Sequence, residues 1–199
     1  MLIRVPKTGS QSQAELYMKH GKQIKGTDTS VNNPPHITSA ELKDVFQKNG
    51  WDWDNCFKFG FVRNPWEREV SCYFYLRKHK KYKEMTFSEY LKGQAGQPSM
   101  GSQMHTYLTD VDYVARYEKY EEETNSIWKK LNLPGTPTLE NHNATEHKPY
   151  WEYYNDDEVL LVQKAYQNAS NENPDTNVPD TNVPDTNFSN NEPSVEDVD

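Results

Sequence analysis

The chain has 199 residues, a formal net charge of -8 and a mean hydropathy of -1.06, and its length suits one domain, or one domain with an appendage. Residues 168–199 hold eight of the 30 acids and no Lys or Arg, so the remaining 22 acids balance the 22 Lys and Arg of residues 1–167. No apolar run reaches the roughly 18 residues of a membrane span, the N-terminus lacks a secretory apolar run, and the two cysteines form no disulfide framework. These features exclude membrane-spanning and disulfide-stapled classes. They predict a soluble cytoplasmic protein, unless the chain was trimmed from a longer precursor.

The acidic end of the chain is a short repeat. The sequence Pro-Asp-Thr-Asn-Val of residues 174–178 recurs at 179–183 and, with Phe for Val, at 184–188. Such a repeat buries no apolar surface, so residues 168–199 are predicted to be a disordered tail. It is either an acidic interaction tail or a solvated extension, and the folded domain is predicted to be residues 1–167.

The body alternates strand-like and helix-like segments. Leu2–Val5 is a short apolar run, Gln11–His20 is helical with Gly21 as its stop, and Thr38-Ser39-Ala40-Glu41 is a capping box that opens a helix to about Gln47. The later segments follow the same alternation: a strand at 57–62, a helix at 66–78, a strand at 113–117, a helix at 118–131 and a helix from about 155 to 166. This alternation predicts a three-layer α/β domain with a mainly parallel sheet.

The first strand runs directly into a turn rich in small and hydroxyl residues, Pro6-Lys7-Thr8-Gly9-Ser10-Gln11-Ser12. A turn of this kind at the start of a helix presents free backbone N–H groups and the positive end of the helix dipole, and Lys7 adds a cation. The turn therefore predicts an anion site, although a turn with helix-capping hydroxyls explains the pattern as well. It is not a Walker A loop, because no second Gly-Lys-Ser/Thr closes it.

The strand at 57–62 ends in a second polar junction. Arg63 leaves the strand end, Asn64-Pro65 breaks the strand, and Ser71 lies about two turns into the next helix. Arg63 and Ser71 are predicted to face one crevice and to hold a second phosphate. The four lysines at 78, 80, 81 and 83 are interpreted as a solvated basic surface.

Taken in order, these segments resemble the carbohydrate-type sulfotransferases, which use 3'-phosphoadenosine 5'-phosphosulfate (PAPS). The first junction resembles their 5'-phosphosulfate loop, and the segment Phe59–Tyr73 resembles their 3'-phosphate segment. The resemblance extends over residues 2–167 through three further segments: His36–Lys43, Asp112–Glu118, and Asn141–Thr145 followed by Tyr153–Asp156. The resemblance implies a P-loop-like α/β fold and PAPS as cosubstrate.

The resemblance also implies roles for single residues. Lys7 would stabilise charge on the bridging oxygen of the leaving phosphate, and His36 would be the general base for the acceptor hydroxyl. Arg63 and Ser71 would bind the 3'-phosphate. The 5'-phosphosulfate would be held by the backbone and side chains of Lys7, Thr8, Gly9, Ser10, Gln11 and Ser12. His36 retains a second interpretation as a histidine that merely flanks a helix.

The sequence departs from the family at positions 11 and 13 and after residue 166. Gln11 stands where the family usually has Thr, and Gln13 where it usually has an apolar residue. The aromatic strand or turn that commonly ends the family chain is replaced after Tyr166 by the polar repeat. Glu118 is interpreted as the ion-pair partner of Arg116.

The predicted activity is transfer of a sulfuryl group to a hydroxyl, on a carbohydrate acceptor. The acceptor surface is expected in loops such as 22–35 and 92–106, and neither a metal nor a nucleic-acid partner is expected. Two alternatives remain open: a non-catalytic module that binds nucleotide, and a P-loop kinase-type phosphotransferase. The oligomeric state stays open.

Overall fold

The computed structural model describes residues 1–20, 36–94, 104–139 and 147–171. Within these residues the regular elements are β1 (Leu2–Ile3), α1 (Ser10–Met18), α2 (Ser39–Lys48), β2 (Phe59–Val62), α3 (Pro65–Leu76), α4 (Phe87–Gln94), α5 (Met104–Tyr107), β3 (Tyr113–Arg116), α6 (Tyr120–Lys130) and α7 (Asp156–Asn171). Short 3-10 turns lie at Lys80–Tyr82, Tyr117–Lys119 and Tyr150–Tyr153.

The strands form a parallel sheet in the order β1-β2-β3. Ile3 of β1 pairs with Gly60 of β2, and Val62 of β2 pairs with Arg116 of β3. The parallel arrangement predicted from the alternation of segments is confirmed. All three strands therefore deliver their carboxyl ends to one edge of the sheet.

Helices cover both faces of this sheet. Phe59 and Phe61 of β2 pack with Ile127 of α6 and Tyr17 of α1, whereas Val62 packs in the cluster that contains residues of α2 and α5. Successive side chains of β2 therefore point to opposite faces of the sheet and pack in two separate cores. The predicted three-layer architecture is confirmed. On the α5 side the approach is close: a Cβ at Gly60 would lie 2.3 Å from Leu108 Cδ2.

A third core lies between α3, α4 and α7. It is built from large side chains, which include Trp66, Tyr73, Phe87, Leu91 and Val162. The indole N–H of Trp66 donates to the Val159 carbonyl of α7 at 3.3 Å. This core fixes the helix that follows the second strand, and with it the side chains that α3 carries.

Two helix starts agree with their sequence signals. Thr38 caps α2 through a complete capping box, because its Oγ1 accepts from the Glu41 N–H at 3.2 Å and its own N–H donates to Glu41 Oε2 at 2.9 Å. Asn64 caps α3, with its Oδ1 accepting from the Glu67 N–H at 3.2 Å and Pro65 in the first turn. The break predicted at Asn64-Pro65 is therefore a helix start.

Other boundaries differ from the prediction. Helix α4 and the short α5 were not predicted, and both overlap the segment 92–106 that was interpreted as a loop. Helix α7 continues to Asn171, past the boundary drawn between residues 167 and 168. The predicted stop at Gly21, the loop 22–35, the motif 141–145 and the tail from 172 lie outside the described residues.

Among the described helices, none combines the length and the apolar character that a bilayer crossing demands.

Candidate active site

The carboxyl edge of the sheet gathers the two junctions singled out in the sequence. The chain leaves β1 into the turn at 4–9, leaves β2 at Arg63, and leaves β3 at Tyr117. In open α/β sheets this edge is where ligands bind. A direct contact joins the first two segments, because Arg63 Nη1 donates to the Lys7 carbonyl at 3.2 Å.

Side chains of the protein hold three successive carbonyls of the turn after β1. The hydroxyl of Thr8 donates to Val5 O at 3.0 Å, Arg68 Nε donates to Pro6 O at 3.0 Å, and Arg63 donates to Lys7 O. In a planar trans peptide the carbonyl and the following N–H point in opposite directions. Holding the carbonyls of Pro6 and Lys7 therefore turns the N–H groups of Lys7 and Thr8 away from these two arginines.

The backbone of this turn has the conformation of an anion cradle. Lys7 and Gly9 have positive φ values of 63° and 72°, and Gly9 is the N-cap of α1 without a side-chain cap. The amides of residues 7–11 donate to no partner in the part of the chain that the structure describes. Unbonded amides at a helix start, with left-handed residues between them, form a nest that binds anions.

Gly9 has a left-handed backbone conformation and is also enclosed by two aromatic rings. A Cβ at this position would lie 2.9 Å from Tyr117 Cε2 and 3.0 Å from Tyr120 Cε2. A side chain at residue 9 would thus displace these two rings, and Tyr117 is also the ring that contacts Arg63.

The predicted side-chain donors of the turn differ in availability. Thr8 is fully buried, and its hydroxyl donates to the Val5 carbonyl. Ser10 and Ser12 are buried in the first turn of α1. Gln11 is exposed, accepts from Arg4 Nη2 at 2.8 Å and donates to Glu15 Oε1 at 2.6 Å. The amides of the turn are therefore freer to bind an anion than are the side chains of Thr8 and Gln11.

Lys7 carries the cation next to this nest. Its Nζ lies 4.5 Å from the centroid of the Tyr75 ring. The ammonium group forms no ion pair or hydrogen bond with any residue in the described ranges. Burial lowers the pKa of Lys7, and the neighbouring cations Arg63, Lys78 and Arg68 lower it further against an opposing contribution from Cys72. An anion here would relieve the repulsion between these cations.

Arg63 is buried at the end of β2, with 8% of its surface exposed. Its guanidinium stacks 4.3 Å from the centroid of Tyr117 and pairs with Glu67 Oε1 at 2.8 Å. Its Nε is buried and has no hydrogen-bond partner within the described segments. The guanidinium is thus held in place with part of its donor capacity unused.

Ser71 lies on α3 and is 6% exposed. Its hydroxyl makes no hydrogen bond to the residues that the structure describes. A buried hydroxyl usually has a partner, so Ser71 retains a free donor on the same helix that begins after Arg63.

His36 is half-buried and contacts the other end of the first turn. Its Nδ1 lies 2.9 Å from the carbonyl oxygen of Arg4. A carbonyl only accepts, so Nδ1 carries the proton and the neutral ring has its lone pair on Nε2. Burial lowers the pKa of His36, as do the charges of Arg4, Arg68 and Lys7, while the hydrogen bond to Arg4 opposes the shift. The ring is thus neutral and basic near physiological pH.

The pairing expected between Arg116 and Glu118 is wrong. Both residues are exposed, and Glu118 Oε1 instead accepts from the Asn64 N–H at 2.5 Å. The strand direction explains the difference: β3 ends at Arg116, and the 3-10 turn that follows carries Glu118 to the start of α3.

Three contact residues were not identified from the sequence: Tyr75, Glu67 and Tyr117. Glu67 stands four residues after Arg63, and Tyr117 directly follows β3, so spacing and strand order could have indicated both. No sequence signal places Tyr75 under Lys7. Across the described ranges no group of three His, Cys, Asp or Glu is arranged to hold a metal ion.

Comparisons with known proteins bear on the family and the fold of this chain. An uncharacterised protein of Archaeoglobus fulgidus is 31% identical over 87 residues, which are 41% of this chain and 72% of that protein. The crystal structure of mouse sulfotransferase SULT7A1 complexed with PAP matches with a TM-score of 0.56 at 14% identity, over 87% of this chain and 84% of that one. At this identity the match shows a common fold. A profile of the sulfotransferase family matches residues 1–168, and the chain therefore belongs to that family.

Proposed function

We propose that this protein is a PAPS-dependent sulfotransferase that moves a sulfuryl group to a hydroxyl of a carbohydrate. The observation that carries the proposal is the bond between Arg63 and the Lys7 carbonyl, since it unites two anion-binding segments in one site. A nucleotide with phosphate at both its 5' and 3' positions needs two such segments. The complex of the structural neighbour with PAP supports the same ligand class.

The residues present fit this cosubstrate. The amides of residues 7–11 lack partners within the described residues and suit a 5'-phosphosulfate. Arg63, with its unused Nε, and Ser71, with its free hydroxyl, suit a 3'-phosphate. The adjacent Tyr117 ring keeps the Arg63 fork fixed, so little conformational entropy is lost when it binds.

PAPS, when bound, supplies an activated sulfuryl group on its 5'-phosphate. Lys7 then holds its ammonium next to the loop amides and stabilises the negative charge that develops on the leaving phosphate. The positive charges of Arg63, Lys78 and Arg68 lower the pKa of Lys7, which supports a site that favours negative charge. In-line transfer of this kind asks the protein mainly to position groups and to stabilise charge.

His36 takes the proton of the acceptor hydroxyl on Nε2. Its bond to the Arg4 carbonyl supports this role, because it fixes the tautomer whose Nε2 is free to accept. The same bond ties the base to the residue that follows β1, so one turn positions both Lys7 and His36. The lowered pKa of His36 supports a base that stays neutral at physiological pH.

A carbohydrate acceptor is supported by two features. The ordered motifs of the chain resemble those of carbohydrate-type enzymes. Tyr75, whose ring faces Lys7, is 41% exposed, and an exposed aromatic ring suits the apolar face of a sugar.

Calorimetry with PAP and transfer of radiolabelled sulfate from PAPS to a panel of glycans test the proposal together. We expect PAP to bind more tightly than 5'-AMP and label to appear on a glycan hydroxyl. Binding without transfer over a wide panel would indicate a non-catalytic nucleotide module. Preference for ATP with Mg²⁺ would indicate a phosphotransferase.

A further inference from the structure

A buried polar network connects α7, the last helix that the structure describes, to the turn after β1. Arg68 of α3 has no exposed surface and donates from Nε to the Pro6 carbonyl at 3.0 Å. Its Nη1 donates to the hydroxyl of Tyr166 in α7 at 3.2 Å, across 98 residues of sequence. One side chain therefore bridges the anion-binding turn and the C-terminal helix.

Tyr166 is oriented by a second contact. Its hydroxyl donates to Glu69 Oε1 at 2.8 Å, and Glu69 is itself buried, with 5% exposure. Since the single hydroxyl proton goes to Glu69, the oxygen of Tyr166 presents lone pairs to Arg68. Burial and the adjacent Glu69 raise the pKa of Tyr166 well above its ordinary value, so the hydroxyl stays protonated.

The contact at Pro6 is the one that bears on the site. A hydrogen bond at the far end of a long arginine side chain narrows the range of rotamers that the side chain adopts. The Tyr166 bond restrains the terminal nitrogens, which leaves Nε aimed at Pro6 O. Because the peptide between Pro6 and Lys7 is planar, its N–H then points away from Arg68, into the nest of free amides.

We propose that Tyr166 is a positioning residue for the donor-binding turn, acting through Arg68. The inference rests on the proposed function in that the turn binds the 5'-phosphosulfate of PAPS. It adds that the last helix, outside both phosphate-binding segments, sets the orientation of the Lys7 amide.

The chain offers a matched control. Tyr90 of α4 also donates its hydroxyl to Glu69, at 2.5 Å to Oε2, but makes no hydrogen bond to Arg68. Tyr166→Phe and Tyr90→Phe each remove one hydroxyl from the same carboxylate, so both variants leave Glu69 with one hydrogen bond fewer and should lower the melting temperature. Only Tyr166→Phe removes a hydrogen bond of the guanidinium.

The experiment uses the full chain and two readouts. We expect Tyr166→Phe to weaken PAP binding about tenfold by calorimetry and to speed solvent exchange of the Arg68 Nε–H about tenfold by nuclear magnetic resonance, as loss of one buried hydrogen bond implies. Tyr90→Phe should change neither, although its melting temperature falls. Equal losses in both variants, or no change in Tyr166→Phe, would overturn the inference.

Arg68→Lys provides a second variant if Tyr166→Phe fails to fold. It keeps the charge but lacks the fork that spans Pro6 and Tyr166, so PAP affinity should fall about tenfold while 1:1 stoichiometry persists. Unchanged affinity would contradict the inference. The Nε–H exchange of Arg68 is measured without ligand, so it decides the inference even if the wild-type chain binds no PAP and the proposed function fails.

Discussion

The two helices that begin at the carboxyl edge of the sheet, α1 and α3, start in opposite ways. Helix α1 has Gly9 as N-cap, no side-chain cap and no acid in its first turn. Helix α3 is closed: Asn64 caps it, Pro65 has no N–H to offer, and Glu67 stands in its first turn. The N-terminus of α1 therefore leaves its backbone N–H groups available to a ligand. At the N-terminus of α3, the Asn64 side chain accepts from the N–H of Glu67, and Pro65 has no N–H.

In the proposed site, this contrast corresponds to two ways of binding phosphate. At α1 the backbone would bind, and Arg63 at the end of β2 and Arg68 of α3 hold the carbonyls so that the amides stay exposed. At α3 a side chain binds: Arg63 stands before the closed helix start with Glu67 and Tyr117 around it. Changes near α1 should therefore affect any ligand with a 5'-phosphate, while changes at Arg63 and Ser71 should affect only ligands with a 3'-phosphate.

The largest expected effect is on turnover and comes from the α1 side. His36→Ala should lower kcat by about 10²–10⁴ and leave PAP affinity nearly unchanged, because it removes a general base and no phosphate donor. Since burial lowers the pKa of His36, the acid limb of kcat/KM should lie below the ordinary histidine value of about 6.5, and the variant should lose that limb. Activity should thus fall as pH drops through this pKa, where the ring gains its proton. His147→Ala is the control, since His147 also binds a carbonyl but lies outside the site; an unaltered rate in His36→Ala would remove His36 from the mechanism.

The next largest effect is expected on PAP affinity and concerns Arg63, which lies just before α3. Arg63→Ala should weaken PAP binding by about 2 kcal/mol, roughly 30-fold, and change 5'-AMP binding much less, because a charge-assisted pair to the 3'-phosphate is lost. Calorimetry with both ligands measures the difference. Arg77→Ala, which removes another arginine stacked on a tyrosine, at 5.5 Å from Tyr73, should change neither affinity. Equal losses for PAP and 5'-AMP in Arg63→Ala would mean that Arg63 does not recognise the 3' group.

Gly9→Ala should weaken the binding of PAP and of 5'-AMP to the same extent, by about tenfold. An alanine in the left-handed conformation costs about 1–2 kcal/mol, and its Cβ would collide with the Tyr117 ring. Gly50→Ala is the matched control: Gly50 also has a positive φ, 66°, but has open space around it. Both variants should lose similar folding stability from strain, and only Gly9→Ala should lose affinity. A selective loss of PAP binding in Gly9→Ala would contradict the assignment of α1 to the 5' end.

The smallest effect is expected at Ser71. Ser71→Ala should cost PAP binding about 0.5–1.5 kcal/mol, as one neutral hydrogen-bond donor implies, and leave 5'-AMP binding unchanged. Ser126→Ala, at an exposed helical serine that bonds its own helix, serves as the control. PAP affinity equal to that of the wild type would place Ser71 outside the 3'-phosphate site.

Local signals predicted much of this molecule. The capping box at Thr38, the Asn64-Pro65 start and the alternating aromatics of β2 each act within a few residues, so the sequence displays them directly. Both junctions at the sheet edge were predicted because parallel strands bring their carboxyl ends together. The bond from Tyr166 to Arg68 spans 98 residues, and such contacts depend on how α7 packs against α3 rather than on any local pattern.

The same reason explains the missed helices and partners. Helix α5 is four residues long, and a helix so short owes its form to tertiary packing rather than propensity. Glu118 was assigned to Arg116 on proximity in sequence, whereas the 3-10 turn after β3 carries it to Asn64. The role of Tyr75 follows only from the path of α3 beside Lys7.

A crystal structure of the full chain with PAP tests the central claim most directly, because that claim assigns the two phosphates of one ligand to two strand ends. We expect the 5'-phosphate within hydrogen-bond distance of the amides of residues 7–11 and the 3'-phosphate within hydrogen-bond distance of Arg63. PAP bound elsewhere, or with its 3'-phosphate directed away from Arg63, would contradict the account.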